Sequence, residues 1–81
     1  MAKATLREIK ANLESIADGV LLDPASKDAA FWAERIKEIV PTLTTFRAVR
    51  AEASVASYSF SKMGDTFTAD LLEDALGMVR P

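Results

Sequence analysis

The chain has 81 residues, a mass of 8.8 kDa and a net charge of −2, which is room for one small domain spanning 1–81. It contains no Cys and no His, which excludes disulfides, Cys/His zinc sites and any nucleophile activated by His. Apolar types make up 49% of the chain, but 14 of those residues are Ala, so the larger core-forming side chains are few.

A domain this small buries only about 60% of the surface its unfolded chain exposes. With disulfides and zinc excluded, support has to come from helix packing, self-association or a partner. No stretch approaches the roughly 18 apolar residues that a membrane span needs. The first residues lead into an amphipathic segment rather than an apolar signal core. The expected location is therefore the cytoplasm, or a particle assembled there, with no membrane contact.

In chain order, the first element is a helix over about 5–18. Thr5-Leu6-Arg7-Glu8 has the form of a capping box, in which hydroxyl and carboxylate each satisfy a free amide. Leu6, Ile9, Leu13 and Ile16 recur at spacings of three and four, which puts them on one face. Lys10 and Glu14 are one turn apart and are expected to pair. Gly19 is the expected stop. Val20-Leu21-Leu22 then reads as an apolar connector tucked under the helices, with an exposed docking patch as the alternative.

The second helix is expected over 24–40, with Asp23 as N-cap and Pro24 in the first turn. Ala29, Trp32, Ala33, Ile36, Ile39 and Val40 lie near one face. Phe31 sits about 100° from Trp32, so the two aromatics point to different surroundings. One belongs to the core, and the other is a candidate partner contact, because aromatics are enriched at interface hot spots. Pro41 is expected to end or kink this helix and to disfavour helical geometry at Val40.

The third segment carries a four-three seam of Phe46, Val49, Ala53, Ala56, Phe60 and Met63, which predicts a helix over 42–63. Residues 56–61 also alternate apolar and polar, as a half-buried strand does. A short hairpin over 56–68 is therefore the alternative. Ala51, Ala53, Ser54, Ala56 and Ser57 form a stretch of small side chains. Such a stretch admits a close neighbouring helix, either from this chain or from another copy, which makes Ala53 and Ser57 candidate contacts.

The fourth helix is expected over 68–79, with Thr68 as N-cap and a Phe67–Leu72 hydrophobic staple. Asp70 suits the first turn and Arg80 the far end. Leu71, Leu72, Ala75, Leu76 and Val79 form its apolar stripe.

Chemistry-bearing motifs are scarce. There is no phosphate-binding glycine loop. Asp65, Asp70, Glu73 and Asp74 form the acidic cluster, and Asp70 and Asp74 are neighbours one turn apart on a helix. Two carboxylates fall short of the ligand set of a hard cation. A solvated face, or a patch for a basic surface, is the simpler reading. An acyl-carrier protein would need a Ser after Asp70, where Leu71 stands. Arg35, Lys37, Arg47 and Arg50 could form a basic edge of the kind a helix-turn-helix uses. The acidic balance and the missing turn glycine work against that, and pairing with Glu52 or with the fourth segment explains the arginines equally well. Residues 63–81 hold one basic and four acidic side chains, against nine and eight in 1–62. No cofactor, metal or enzymatic activity is expected.

The opening Thr5-Leu6-Arg7-Glu8-Ile9-Lys10-Ala11-Asn12-Leu13 resembles the start of small head–tail connector proteins of tailed phages. The resemblance covers these nine residues and implies a non-enzymatic ring subunit seated between other virion proteins. It carries over no functional residues.

These readings combine into an all-α bundle of about four helices that works as a non-catalytic interaction or assembly subunit. Its expected partner is another protein, further copies of itself, or both, and not nucleic acid. Phe31, Trp32, Arg47, Arg50, Ala53, Ser57, Asp70 and Asp74 are its candidate partner contacts. The alternative is a small regulator: an inhibitor, an antitoxin-like binder or a DNA-binding module.

Overall fold

A computed structural model of the chain describes residues 5–77. Four helices follow one another: α1 (Leu6–Leu22), α2 (Lys27–Ile39), α3 (Phe46–Lys62) and α4 (Thr66–Gly77), with a 3₁₀ turn at Val40–Thr42 after α2. The described residues are all-α and contain no strand. The hairpin alternative over 56–68 gives way to the last turns of α3, a glycine turn and the start of α4.

The capping box at the head of α1 forms as expected. Thr5 Oγ1 accepts from the Glu8 amide at 3.1 Å, and the Thr5 amide donates to Glu8 Oε1 at 2.8 Å. Two other expectations for α1 are corrected. The helix does not stop at Gly19 but runs on to Leu22, so Val20 and Leu21 are in its last turn and pack partly buried on the core. Lys10 does not pair with Glu14. Its ammonium reaches across to the carbonyls of Pro41 (3.2 Å) and Leu43 (2.7 Å), tying the 3₁₀ turn down to α1.

The start of α2 is also later than expected. Asp23 serves as the C-cap of α1, with its amide donating to the Val20 carbonyl, and the N-cap of α2 is Ser26. Ser26 Oγ accepts from the Ala29 amide at 3.1 Å. Pro41 ends α2 as expected, yet Val40 keeps helical angles (φ −53°, ψ −43°) and leads into the 3₁₀ turn.

The α3–α4 junction is a Schellman stop. Gly64 adopts φ +91°, its amide donates to Ser61 O at 3.0 Å, and the Asp65 amide donates to Phe60 O at 2.9 Å. Asp65 then caps α4 by accepting from the Thr68 amide at 3.1 Å and from the Thr68 hydroxyl at 2.7 Å. Thr68 is thus buried in the first turn and is not the cap. The Phe67–Leu72 staple does not form either, because Phe67 points outward. Val79 and Arg80, placed at the end of α4 by pattern, lie outside the described residues.

The core gathers Ile9, Leu13, Ile36, Val40, Val49, Phe60 and Leu72, all fully buried, with Ala17, Ala29, Ala33, Ala53 and Ala56 letting the helices approach. Phe46, assigned to this seam by its spacing, is 43% exposed. In the bundle α1 packs on α2 and α4, and α3 packs on α4 and α2, so α1 and α3 occupy opposite corners. None of the described helices is long and apolar enough to cross a membrane.

Candidate functional site

A surface groove lies between the C-terminal half of α1 and the N-terminal half of α4. It is an open groove of about 440 Å³, closed at one end by the α1–α2 connection. Ile16 and Val20 form its floor on the α1 side, and Phe67 and Leu71 stand along the α4 side. Phe67 is 73% exposed, and Leu22, beyond the groove end of α1, is 88% exposed. Large apolar side chains are rarely left this open in a cluster unless something covers them. The groove has two carboxylates in its lining, Asp23 and Asp65, and no cation. Gly19 also lines it, and a Cβ built there would meet nothing within 4 Å.

The outward face of α4 continues the acidic rim. Phe67, Asp70, Leu71 and Asp74 recur at helical spacing and are exposed together, with Glu73 beside them. Asp70 and Asp74, singled out by sequence, therefore do come together, on a face shared with Phe67 and Leu71. No group of three or more potential metal-ligating side chains occurs among the described residues.

The other candidate contacts are distributed differently. Ala53 is buried in the core, and Ser57 is buried in the α3–α4 seam, where its Oγ donates to the Ala69 carbonyl at 3.2 Å. The small side chains there serve close packing within the chain, while Ala51 and Ser54 of the same stretch face outward. Phe31 and Trp32 meet edge to face at 5.5 Å, with Phe31 57% exposed and Trp32 packed against the core. Arg35 lies over the Trp32 ring at 5.5 Å and pairs with Glu52, Nε to Oε2 at 2.7 Å and Nη2 to Oε1 at 3.3 Å. The hydrogen bond and charge of Glu52 raise the Arg35 pKa further above its ordinary value. Lys37 pairs with Asp18, whose hydrogen bond and charge likewise raise the lysine pKa.

Arg47 and Arg50 remain exposed on α3, without an ion-pair partner among the described residues. At about 100° per residue they share the outward face of α3 with Ala51, Ser54, Val55 and Tyr58. Lys62 closes this face, its ammonium 5.5 Å from the Tyr58 ring centroid. Val55 is 49% and Tyr58 64% exposed, and the face bears no carboxylate.

Sequence reasoning missed the groove itself, because a groove between two helices exists only once they have packed. Of the apolar run 20–22, Val20 and Leu21 pack partly buried against the core, and Leu22 stands in the open. For the α4 side, the one available signal was Phe67, an aromatic just ahead of the apolar stripe.

Comparison with family models, with curated proteins and with solved structures finds no match to this chain.

Proposed function

We propose that this chain is a non-catalytic protein-interaction or assembly subunit that binds through the α1–α4 groove. The observation that carries the reading is the acid-rimmed apolar groove with Phe67 standing open along it. Apolar floor, aromatic anchor and charged rim are the anatomy of a helix-in-groove docking site. The likeness of residues 5–13 to phage head–tail connectors makes a virion particle assembled in the cytoplasm the setting we propose.

The regulator reading draws less support from the geometry. Two of the four cations of its basic edge, Arg35 and Lys37, are engaged by Glu52 and Asp18.

The test is site-specific photo-crosslinking in the cells that make the protein, with the probe at position 67 and a control probe at exposed Thr42. A discrete crosslinked protein band from position 67, absent from the control, is the expected result. It counts whether the captured protein is this chain or another. No discrete band from position 67 would overturn the reading.

A further inference from the structure

We infer that the groove between α1 and α4 receives the outward face of α3 from a second copy of the chain, so that copies join head to tail. This rests on the assembly-subunit reading and names the partner of that site.

Three observations carry it. The first is complementarity of charge and polarity within one sequence. The groove and the adjoining α4 face present Asp23, Asp65, Asp70 and Asp74 around Phe67 and Leu71. The outward face of α3 presents Arg47, Arg50 and Lys62 around Val55 and Tyr58. Each surface has an apolar centre, and each has a rim of the charge opposite to the other's.

The second is that two of these groups, Arg47 and Asp74, work against their own helices. A helix N-terminus favours negative charge and a C-terminus positive charge. Helix α3 has no acidic residue in its first turn and carries Arg47 there, while the last described turn of α4, up to Gly77, has no basic residue and carries Asp74. Neither the two arginines nor Asp70 and Asp74 find an ion-pair partner among the described residues. At Arg47 and Asp74 the described bundle gains nothing from this layout, whereas an interface does.

The third is Gly19. A glycine within a helix weakens it relative to alanine, and Gly19 begins the last turn of α1. Nothing among the described residues occupies the space its missing Cβ leaves, so their packing does not require it. A helix laid into the groove does, because it then approaches the α1 backbone closely.

Geometry decides the symmetry. The groove lies between α1 and α4, and α1 and α3 stand at opposite corners of the bundle, so the groove and the outward α3 face are different surfaces of one copy. The contact is heterologous, and repetition gives a ring or a filament according to whether the rotation closes.

The experiment uses the full chain and two charge-reversed variants, Arg47→Glu/Arg50→Glu and Asp70→Lys/Asp74→Lys, with absolute molar mass read by light scattering. The wild type is expected to exceed 8.8 kDa, to grow with concentration, and to fall back towards a single chain at about 1 M salt, where the Debye length is about 3 Å. Each variant alone is expected to stay at a single-chain mass while remaining helical by circular dichroism. Mixed in equal amounts, the variants are expected to assemble again, because the intact groove of one takes the intact α3 face of the other, and the reversed face and reversed groove once more carry opposite charges.

A wild type that is monomeric at every concentration overturns the inference. So does a variant that still assembles alone, or a mixture that stays monomeric. Should a reversed pair fail to fold, Arg47→Gln/Arg50→Gln and the salt series on the wild type decide the same question. A monomeric wild type together with a crosslink from position 67 to a different protein sinks head-to-tail assembly and leaves the interaction-subunit reading standing.

Discussion

Gly19 and Lys37 are two residues whose surroundings make their substitution informative. Gly19 sits inside α1 with open space where a Cβ would be. Gly19→Ala is expected to stabilise the isolated bundle by about 0.5–1 kcal/mol, as helix propensity alone dictates. The measurement is urea unfolding at low protein concentration, and a loss of stability would mean that the helix needs flexibility there. Lys37 pairs with Asp18 at the surface, where water and salt screen the interaction. Its pKa is raised by that partner, so its contribution is fully present below the ordinary lysine pKa and is lost as pH rises through the raised value. The stability gap between wild type and Lys37→Gln should thus hold steady across neutral pH, close in strongly alkaline solution, and shrink in high salt. A gap that opened near neutrality would assign the effect to some other group.

At the scale of the helices, the stripes were legible in the sequence and several boundaries were not. Ile9 and Leu13, Ala33 and Ile36, Val49, Ala53 and Phe60 all sit where a period of 3.6 puts them. Boundaries were harder because neighbouring residues compete for one role. Asp23 and Ser26 are both good caps three residues apart. Once α1 runs through Gly19 to Leu22, Asp23 is used as its C-cap, and only Ser26 is left to start α2. Asp65 and Thr68 compete in the same way, and the Schellman stop at Gly64 decides for Asp65 by placing it directly at the head of α4. Asp65→Ala should therefore cost about 1 kcal/mol, the usual worth of an N-cap, whereas Thr68→Val should act through the buried packing of that site. The small-residue stretch of α3 also divides by face. Ala53→Leu pushes α3 off its neighbours and is expected to cost about 1–3 kcal/mol through overpacking, while Ala51→Leu, which points outward, should leave the unfolding free energy within about 0.5 kcal/mol. Urea unfolding of the two variants checks this, and equal effects would contradict the placement of the seam inside the chain.

The candidate site belongs to the whole molecule, and that is why the sequence revealed it only in fragments. Periodicity reports which face of a helix is apolar, but it says nothing of where two helices leave a gap. Phe67 and Leu22 have the chemistry of core residues until the relative placement of α1 and α4 strands them at the surface. Charge asymmetry was visible along the chain, yet its meaning depends on the acidic α4 face and the cationic α3 face looking away from a shared seam. If those faces join copies, folding and assembly are linked, because whatever binds only the folded state raises its apparent stability by mass action. The wild-type melting temperature should then rise with protein concentration and fall as salt is added. Arg47→Glu/Arg50→Glu should abolish the concentration dependence. At low concentration the variant should melt no lower than the wild type, because its new carboxylate at position 47 would lie in the first turn of α3, where the helix dipole favours negative charge. Calorimetric scans of both proteins over a dilution series check this. A wild-type melting temperature independent of concentration would place the stability of this small bundle wholly within one chain, and would leave its groove to a partner of a different sequence.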